Sequence, residues 1–537
     1  MRIRYFKKGK KYETQSTNGD LELKIIHQDE RNIVTLKAKE NIELISADDD
    51  IPFHVNFNDY YFLNGYQSWT DTKEFKLSER LRNINKSPHI ITHMFALNKY
   101  GDSSFYKYSI KKSHGYDIFY SKGKYESFIY SLNYKTAYLV IELIKDKKSL
   151  HLLSQVKGIN LNKGEEINVF DYYLFFNFMD GLNSFKTVYP EYIPEKLFGY
   201  TSWYNYYQNI NEEIILKDLD ALDSRFNIFQ IDDGYESFVG DWLDIDQKKF
   251  PNGLKPIVEK IHQKGFKAGI WLAPFIAEKN SKLFNEHQDW FIKDKKGNPL
   301  KCGGNWSGQY ALNLDNEEVL NYIKKSLNYY MDLGFDFFKL DFLYAAGLPQ
   351  YKGRSRCQVQ YNSYKFLREI LKDKLILGCG ANIINSFGNF DYLRVGPDVS
   401  LIFDDVSYMR LFHRERISTK ITMQNTVFRS FFNKHLFGND PDVFLLRNDN
   451  IELSFEQRKA LTKINALFGC VLMTSDNIAA YNEEQRKILQ EALAMFKGAK
   501  VDSWKSRKHY IDVKYHIGEK NHEFTYDVNK GVFTYER

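Results

Sequence analysis

The sequence has few of the features that mark secreted, membrane or zinc-binding proteins. Only four cysteines occur in 537 residues (Cys302, Cys357, Cys379 and Cys470), without a CxxC pair, which argues against a disulfide framework and a structural zinc site. No apolar run is long enough to span a membrane, and the N-terminal stretch MRIRYFKKGKKYETQ lacks an apolar signal segment. Reduced thiols in the cytoplasm are the simplest explanation, so we expect a cytoplasmic protein.

An excess of one charge is also absent. The net charge of +6 comes from 75 basic residues interspersed with 69 acidic ones, and the one basic cluster, KKGKK at 7–11, suits a solvated turn. A nucleic-acid partner is therefore not expected. Hydrophobic residues make up 43% of the chain and charged residues 27%, a composition that is typical of globular proteins with several domains.

The pattern of apolar residues changes twice along the chain and predicts three domains. Residues 1–188 contain alternating, β-branched and aromatic runs, which predict an antiparallel β-sandwich. Residues 189–480 alternate short apolar strands with amphipathic helices, a pattern that predicts a (β/α)₈ TIM barrel. Residues 481–537 end in further alternating runs and predict a small antiparallel β-domain. The expected fold class is a multidomain β plus α/β protein.

The predicted barrel strands end in polar or aromatic side chains. Active sites of such barrels lie at the carboxyl ends of the strands, so these ends are the places to look for chemistry. The eight candidate strands lie at 199–207, 227–234, 267–275, 335–342, 375–381, 392–399, near 426–432 and at 471–477.

Lys339 and Asp341 stand two positions apart in FFKLDFLY (337–344), an otherwise apolar run. Alternation along a strand points both side chains to one face. The two charges could fix the strand register or form the floor of an active site, and we favour the second because buried ion pairs often add little stability. A cation beside Asp341 should lower its pKa and keep it ionised, as a nucleophile requires.

A second acid, Asp398, follows Gly-Pro in LRVGPDVS, with Arg394 on the same predicted strand end. A turn-forming Pro-Asp dipeptide is the structural alternative. If Asp398 faces Asp341, the like charge should raise its pKa, which suits a general acid. Two carboxyls in these roles form the machinery of a retaining glycosidase. The pair Asp404–Asp405 is an alternative source of the acid, but it lies farther from the strand end.

IDDG at 231–234 places Asp232 and Asp233 at another strand end. An isolated pair of this kind would most simply be a turn, but adjacent carboxylates also hold neighbouring sugar hydroxyls well. Trp203 and Trp271 suit the apolar face of a sugar ring, although either could be ordinary core.

Taken in order, several segments resemble glycoside hydrolase family 36, the microbial retaining α-galactosidases of the melibiase clan, and most closely its shorter single-chain members. The segments cover most of the chain and read NGYQSWT (64–70), SWYNYY (202–207), IDDGY (231–235), GIWLAPF (269–275), FKLDFLY (338–344), LGCGAN (377–382), LRVGPDV (393–399) and NDPDVFLLR (439–447).

The resemblance implies an exo-acting α-galactosidase that cleaves oligosaccharides of the melibiose or raffinose type. It implies Asp341 as nucleophile and Asp398 as acid/base. The implied substrate-binding residues are Asp232 and Asp233 on the 4- and 6-hydroxyls, Lys339 and Arg394 around the ring, Trp203, Tyr204 and Trp271 shaping the pocket, and Cys379 near the 2-hydroxyl. The NGYQSWT loop would reach the mouth of its own barrel or that of another subunit, so a homo-oligomer stays open.

No metal or other cofactor is expected, because Lys339 and Arg394 match the acids that would otherwise attract a divalent cation. The segment after Asp398 reads SLIFDDVSY, where the family usually has an aromatic-rich APFW-like segment, and position 66 is Tyr rather than Trp. The first departure leaves the leaving-group side open. The alternatives are an α-N-acetylgalactosaminidase or a galactosyl-transferring transglycosylase with the same site, and a non-catalytic sugar-binding barrel.

Overall fold

The structure is a computed structural model that describes residues 1–79, 112–144, 149–192, 194–348, 352–405, 410 and 414–537. Over these residues the N-terminal region forms two seven-stranded antiparallel sheets, one in the order β2-β1-β5-β12-β11-β8 with β13 beside β5, the other in the order β3-β4-β14-β10-β9-β6-β7. The strands are β1 (Arg2–Lys7), β2 (Lys10–Thr14), β3 (Leu21–Gln28), β4 (Arg31–Ala38), β5 (Ile42–Pro52), β6 (Tyr60–Leu63), β7 (Glu74–Phe75), β8 (Lys112–Tyr116), β9 (Ile118–Lys122), β10 (Ser127–Ser131), β11 (Leu139–Ile144), β12 (Ser149–Ser154), β13 (Asn160–Leu161) and β14 (Glu166–Phe175).

The two sheets share one apolar core. Leu44 and Leu152 from the first sheet and Leu36 and Phe119 from the second are fully buried in the same cluster. Strand β4 shows the alternation that the sequence predicts, with Val34, Leu36 and Ala38 buried and the residues between them more exposed. One face of each sheet is thus committed to the interface, as in a β-sandwich.

A parallel sheet forms the central region, and its chain path closes it into a barrel. The strand order is β24-β23-β22-β21-β17-β16-β15-β26-β25. Only two residues separate β24 from β25, so the two edges of the sheet meet. The strands are β15 (Leu197–Thr201), β16 (Ile228–Ile231), β17 (Lys267–Leu272), β21 (Phe337–Leu340), β22 (Leu375–Gly378), β23 (Tyr392–Arg394), β24 (Gly438–Asp440), β25 (Val443–Phe444) and β26 (Val471–Thr474).

Helices lie between these strands and after them, and many begin at a side-chain cap. Ser355, Ser454 and Asn482 each form a capping box with the Gln three residues later, which satisfies amide groups that the first helical turn leaves free. The helices are α1 (Phe178–Val188), α2 (Trp203–Tyr206), α3 (Glu212–Ala221), α4 (Lys255–Gln263), α5 (Lys282–Glu286), α6 (Glu317–Asp332), α7 (Arg356–Leu371), α8 (Thr419–Phe428), α9 (Phe455–Phe468) and α10 (Glu483–Gly498), with short 3₁₀ helices at Gln288–Trp290, Leu343–Gly347, Ile384–Ser386, Ser430–Phe432 and Ile478–Ala480.

The sequence-based strand near 426–432 is wrong. This segment is the end of α8 and a 3₁₀ turn, and the barrel strand that follows β23 is β24 at Gly438–Asp440. The residues of α8 are almost all buried, including Thr422 and Gln424. A helix buried on every side has no polar stripe, so its apolar run cannot be told from a strand by periodicity.

Two smaller sheets complete the fold. The short strands β18 (Ile276–Glu278), β19 (Lys301–Gly303) and β20 (Gln309–Ala311) form an antiparallel sheet after β17, and a C-terminal meander contains β27 (Ala499–Arg507), β28 (Tyr510–Ile517), β29 (Lys520–Asp527) and β30 (Val532–Glu536). The predicted fold class of β-sandwich, barrel and C-terminal β-sheet is confirmed, whereas the exact domain limits stay predictions. Among the described residues, no helix combines the length and apolarity needed to cross a bilayer.

Candidate active site

A cavity of about 350 Å³ opens at the carboxyl ends of the barrel strands. Asp341, directly after β21, and Asp398, four residues after β23, both line it. Trp69 from the N-terminal region and Phe342 form aromatic parts of the wall. Two carboxyl groups from separate strands thus face one space that is large enough for a sugar ring.

The Asp341 carboxylate is held by two hydrogen bonds. The indole Nε1 of Trp271, on the adjacent strand β17, donates to Oδ2 at 3.0 Å, and the backbone N–H of Phe342 donates to Oδ1 at 2.7 Å. Phe342 itself adopts a left-handed conformation, with φ of 53°, which is strained for a bulky non-glycine residue. The orientation of Asp341 is therefore fixed by its surroundings.

The electrostatic prediction for Asp341 needs a correction. Burial raises the pKa of the Asp341 carboxyl above its ordinary value, with a further contribution from the charge of Asp398, although the charge of Lys339 and the two hydrogen bonds lower it. Lys339 does not form its ion pair with Asp341. Desolvation, which spacing along one strand does not reveal, outweighs the lysine.

Lys339 pairs instead with Asp232, at the end of β16. The Nζ to Oδ2 distance is 2.9 Å, and the two side chains are only 6% and 3% exposed. Burial opposes the charged form of Lys339, but the electrostatic effects of Asp232, Asp341 and Cys379 together outweigh it and raise the pKa of the ammonium group. Gln230 and Thr201 also donate to Asp232, at 2.6 and 3.2 Å. Lys339 therefore has a buried acidic partner, but that acid is not Asp341 and comes from β16, which lies two strands away from β21 in the sheet.

Arg394 joins three carboxylates. Its guanidinium reaches Asp398 through Nη1 at 2.8 Å, Asp440 through Nε at 2.9 Å and Asp442 through Nη2 at 2.8 Å. Arg394 is only 3% exposed, whereas the Asp398 side chain is 34% exposed toward the cavity. The buried guanidinium of Arg394 thus orients the exposed carboxylate of Asp398 and is itself held in place by the buried carboxylates of Asp440 and Asp442.

Asp442 receives a hydrogen bond from the hydroxyl of Tyr204 and another, at 2.7 Å, from the backbone N–H of Val399. Burial raises its pKa to about 7, against the charge of Arg394. Through these contacts Tyr204 supports the turn that carries Asp398. Trp203, its neighbour, is half-buried and packs edge-on against Tyr207 with ring centroids 5.2 Å apart.

The other predicted sugar-binding acid, Asp233, is also held by donors. Gln208 Nε2 donates to its Oδ1 at 3.1 Å and Trp306 Nε1 to its Oδ2 at 2.9 Å. The Trp306 ring lies 6.1 Å from that of Trp271 and 5.3 Å from that of Phe342. The acid and the three rings are thus linked by contacts that reach Asp341 through the indole N–H of Trp271.

The NGYQSWT loop reaches the mouth of the barrel of its own chain. Trp69 Nε1 contacts the Cys379 sulfur at 3.4 Å, and the Ser68 backbone N–H donates to the Ala381 carbonyl at 2.9 Å. Burial raises the pKa of the Cys379 thiol well above its ordinary value, which makes it a neutral, buried side chain behind Trp69 rather than a nucleophile. Through this loop the N-terminal region contributes Trp69 to the cavity wall.

The carboxylate of Asp404, one of the alternative acids, is held by an ion pair and a hydrogen bond. It forms an ion pair with Arg416 at 3.0 Å and accepts a hydrogen bond from Ser418 at 2.8 Å. Burial would raise its pKa, but the charge of Arg416 and the hydrogen bonds outweigh it and lower the pKa. A carboxyl of this kind does not readily hold the proton that a general acid must deliver.

Contacts thus connect nearly all of the predicted site residues at one end of the barrel, with Trp203 the most peripheral. Sequence reasoning did not assign roles to Asp440 and Asp442, although they stand in the quoted NDPDVFLLR segment, or to Trp306. A Trp in a loop of a small side sheet carries no strand-end signal that could have found it. Over the part of the chain that the structure describes, no three or more His, Cys, Asp or Glu side chains form a group that could hold a metal ion.

Comparison with known proteins finds similarity to glycosidases in sequence and in fold. Residues 198–369 match the melibiase family. An Escherichia coli α-galactosidase is 26% identical over 214 residues, which are 36% of this chain and 30% of that protein. The matched part thus spans less than a third of that curated relative.

Two solved structures share the fold. The Thermus thermophilus α-galactosidase TtGalA, in complex with p-nitrophenyl α-D-galactopyranoside, has a TM-score of 0.72 at 23% identity over 97% of this chain and 98% of its own. The family 36 α-galactosidase AgaA from Geobacillus stearothermophilus has a TM-score of 0.63 at 12% identity over 92% of this chain and 70% of its own. The resemblance to family 36 that the motifs indicated is confirmed.

Proposed function

We propose that this chain, whose barrel carries the melibiase-family region within a family 36 fold, is a retaining exo-α-galactosidase. The observation that carries the proposal is the single cavity lined by Asp341 and Asp398, with one carboxyl on each of two barrel strands. The similarity to α-galactosidases over the region that contains Asp341 supports the choice of sugar.

The reaction proceeds in two displacements. In the first, a carboxylate oxygen of Asp341 forms a bond to the anomeric carbon while the bond to the leaving-group oxygen breaks, and Asp398 gives its proton to that oxygen. In the second, Asp398 takes a proton from water, whose oxygen displaces Asp341 from the sugar. Two inversions give net retention at the anomeric carbon.

The remaining side chains hold the sugar for this chemistry. Asp232 and Asp233 each keep lone pairs for neighbouring hydroxyls, and their protein donors fix the angles at which they accept. The half-buried Trp306 packs against Trp271, whose indole N–H holds Asp341, and Trp69, which contacts the buried Cys379, forms part of the cavity wall. A cavity of about 350 Å³ favours one terminal sugar over an internal unit of a longer chain.

We further propose a cytoplasmic protein that acts on α-galactosyl oligosaccharides such as raffinose or stachyose. All four cysteines are buried thiols, which suits a reducing compartment. Structures of related α-galactosidases contain stachyose and raffinose, and the leaving-group side of this cavity is lined by polar residues such as Ser400 and Asp405.

Proton NMR of the first product released from raffinose tests the proposal. Galactose that appears first as the α anomer supports it, whereas the β anomer would refute the retaining mechanism. Parallel assays on p-nitrophenyl α-galactoside and its N-acetylated analogue test the sugar, and a preference for the analogue would contradict the choice of galactose. New oligosaccharides in the same NMR series would reveal transfer rather than hydrolysis.

A further inference from the structure

Glu236 is a buried acid beside the site, and the proposed reaction does not use it. It follows IDDG at the end of β16 and is only 4% exposed. Its Oε1 is buried without a hydrogen-bond donor among the described residues, and the acid that influences its pKa most is Asp233, three residues before it. Ionised carboxylates can only accept hydrogen bonds, so a bond between two carboxyl groups requires that one of them carries a proton.

The surrounding donors indicate which acid carries it. Gln208 Nε2 and Trp306 Nε1 donate hydrogen bonds to the two carboxylate oxygens of Asp233. Glu236 receives backbone donors, among them Gly234 N–H on Oε2 at 3.3 Å, while the buried Oε1 has no protein donor among the described residues. Hydrogen-bond donors stabilise a negative charge, and a buried carboxylate oxygen without a donor carries a free-energy cost. Burial raises the pKa of both acids, but that of Glu236 is raised well above its ordinary value, and the donors favour the charge on Asp233 and the proton on Glu236.

We propose that Glu236 is a protonated positioning residue that donates a hydrogen bond to Asp233 and so fixes the orientation in which the Asp233 carboxylate accepts a sugar hydroxyl. The role of Asp233 on the sugar rests on the proposed function, whereas the proton on Glu236 rests only on the contacts of the two acids. One proton shared by two adjacent carboxyls is the arrangement expected where both cannot ionise together.

The neighbouring charges favour this assignment. Burial and the charge of Asp233 raise the pKa of Glu236 well above its ordinary value. Asp232 is neutralised by Lys339. The Lys249 ammonium contacts this turn from a later part of the chain, but it donates to the backbone carbonyls of Gln208 and Gly234, at 2.8 and 2.9 Å.

Tyr235 and Tyr330 are the other titratable groups that interact with Glu236. The pKa values of both phenols are raised well above their ordinary range, in each case chiefly by burial, so both are neutral. No cation faces Glu236 closely enough, among the described residues, to hold it ionised.

Two matched variants separate the proton from the shape of the side chain. E236Q keeps an N–H donor toward Asp233 but cannot titrate, and E236L removes the donor at similar volume. Galactose binding is measured by calorimetry from neutral to alkaline pH. Wild type should lose affinity as Glu236 gives up its proton, E236Q should not, and E236L should bind about tenfold more weakly at neutral pH, as expected for one lost hydrogen bond of about 1.4 kcal/mol.

An identical pH dependence in wild type and E236Q, or wild-type affinity in E236L, would overturn the positioning role. Infrared difference spectroscopy at neutral pH tests the proton independently of any sugar. The wild type minus E236Q spectrum isolates Glu236 from other buried acids such as Asp117 and Asp442, whose pKa values are about 7.

A protonated-carboxyl band that shifts in D₂O is expected in this spectrum, and its absence would overturn the proposal even if E236L does not fold. If the band is present but galactose does not bind the wild type at any pH, the failure lies with the proposed function.

Discussion

Replacing Lys339 by methionine should destabilise the protein far more than an ordinary ion pair would. Methionine retains most of the volume but leaves Asp232 buried, with only uncharged donors among the described residues: Gln230, Thr201 and the backbone N–H of Asp233. Removing one partner of a buried pair typically costs about 3–5 kcal/mol, because the other charge remains buried without compensation. We expect a loss of this size in the free energy of unfolding measured with urea at neutral pH.

Two further variants test the cause. K339M/D232N removes both charges and should recover a large part of the lost stability, since no uncompensated carboxylate remains. K374M is a matched control from a surface pair, because Lys374 lies 3.3 Å from Asp336 with both side chains about a third exposed. It should cost less than about 1 kcal/mol. A K339M loss no larger than that of K374M, or no recovery in the double variant, would refute the reasoning.

K339M should also change the pH dependence of catalysis. The charge of Lys339 is one of the factors that lower the pKa of Asp341. Its removal should raise that pKa further, so the ionised nucleophile is lost at a higher pH and the acid limb of kcat/KM moves upward. An unmoved acid limb in a folded K339M enzyme would mean that Lys339 does not influence the nucleophile.

Three more predictions concern single side chains. D398A should lose about 10²–10⁴-fold in kcat/KM on raffinose but much less on p-nitrophenyl α-galactoside, whose leaving group needs little protonation; equal losses would remove Asp398 as the acid. D404N should lose stability in thermal unfolding, because Arg416 and Ser418 lose the carboxylate charge, while the ratio of activities on the two substrates stays at the wild-type value; a D398A-like ratio would make Asp404 the acid. D117N should match wild-type stability at acid pH and exceed it above neutral pH in urea unfolding, by up to about 4 kcal/mol. Burial raises the pKa of Asp117 from 3.8 to about 7 in the folded protein. The stability that the protonated carboxyl group contributes is therefore fully present below pH 3.8, and it declines as the pH rises toward 7. Asparagine keeps the acceptor for Leu139 N–H and tolerates the left-handed φ of 63°. A stability difference between D117N and wild type that does not change with pH would contradict the protonated state of Asp117.

The sequence predicted those parts of the fold and site that depend on local pattern. Alternation in β4 and the polar ends of β16, β21 and β23 are visible in single segments, and the order of the motifs indicated the family. These signals were sufficient to predict that Asp341, Asp398 and Asp232 lie at the same end of one barrel.

The features that sequence did not predict depend on contacts between distant segments. Lys339 and Asp341 share a strand face, but the acid that pairs with the lysine lies more than a hundred positions away along the chain. The same holds for Arg394, which bonds Asp440 and Asp442 as well as Asp398. The buried helix α8 was taken for a strand because its tertiary surroundings, rather than its own pattern, fix its conformation.

The central claim is that Asp341 becomes covalently bonded to the sugar. The most direct test is mass spectrometry of the protein after reaction with a fluorinated galactosyl fluoride, which forms the glycosyl-enzyme faster than water removes it. We expect one added sugar, located by peptide fragmentation on Asp341 and absent in D341N. A label on another residue, or turnover of galactosides by D341N at the wild-type rate, would contradict it.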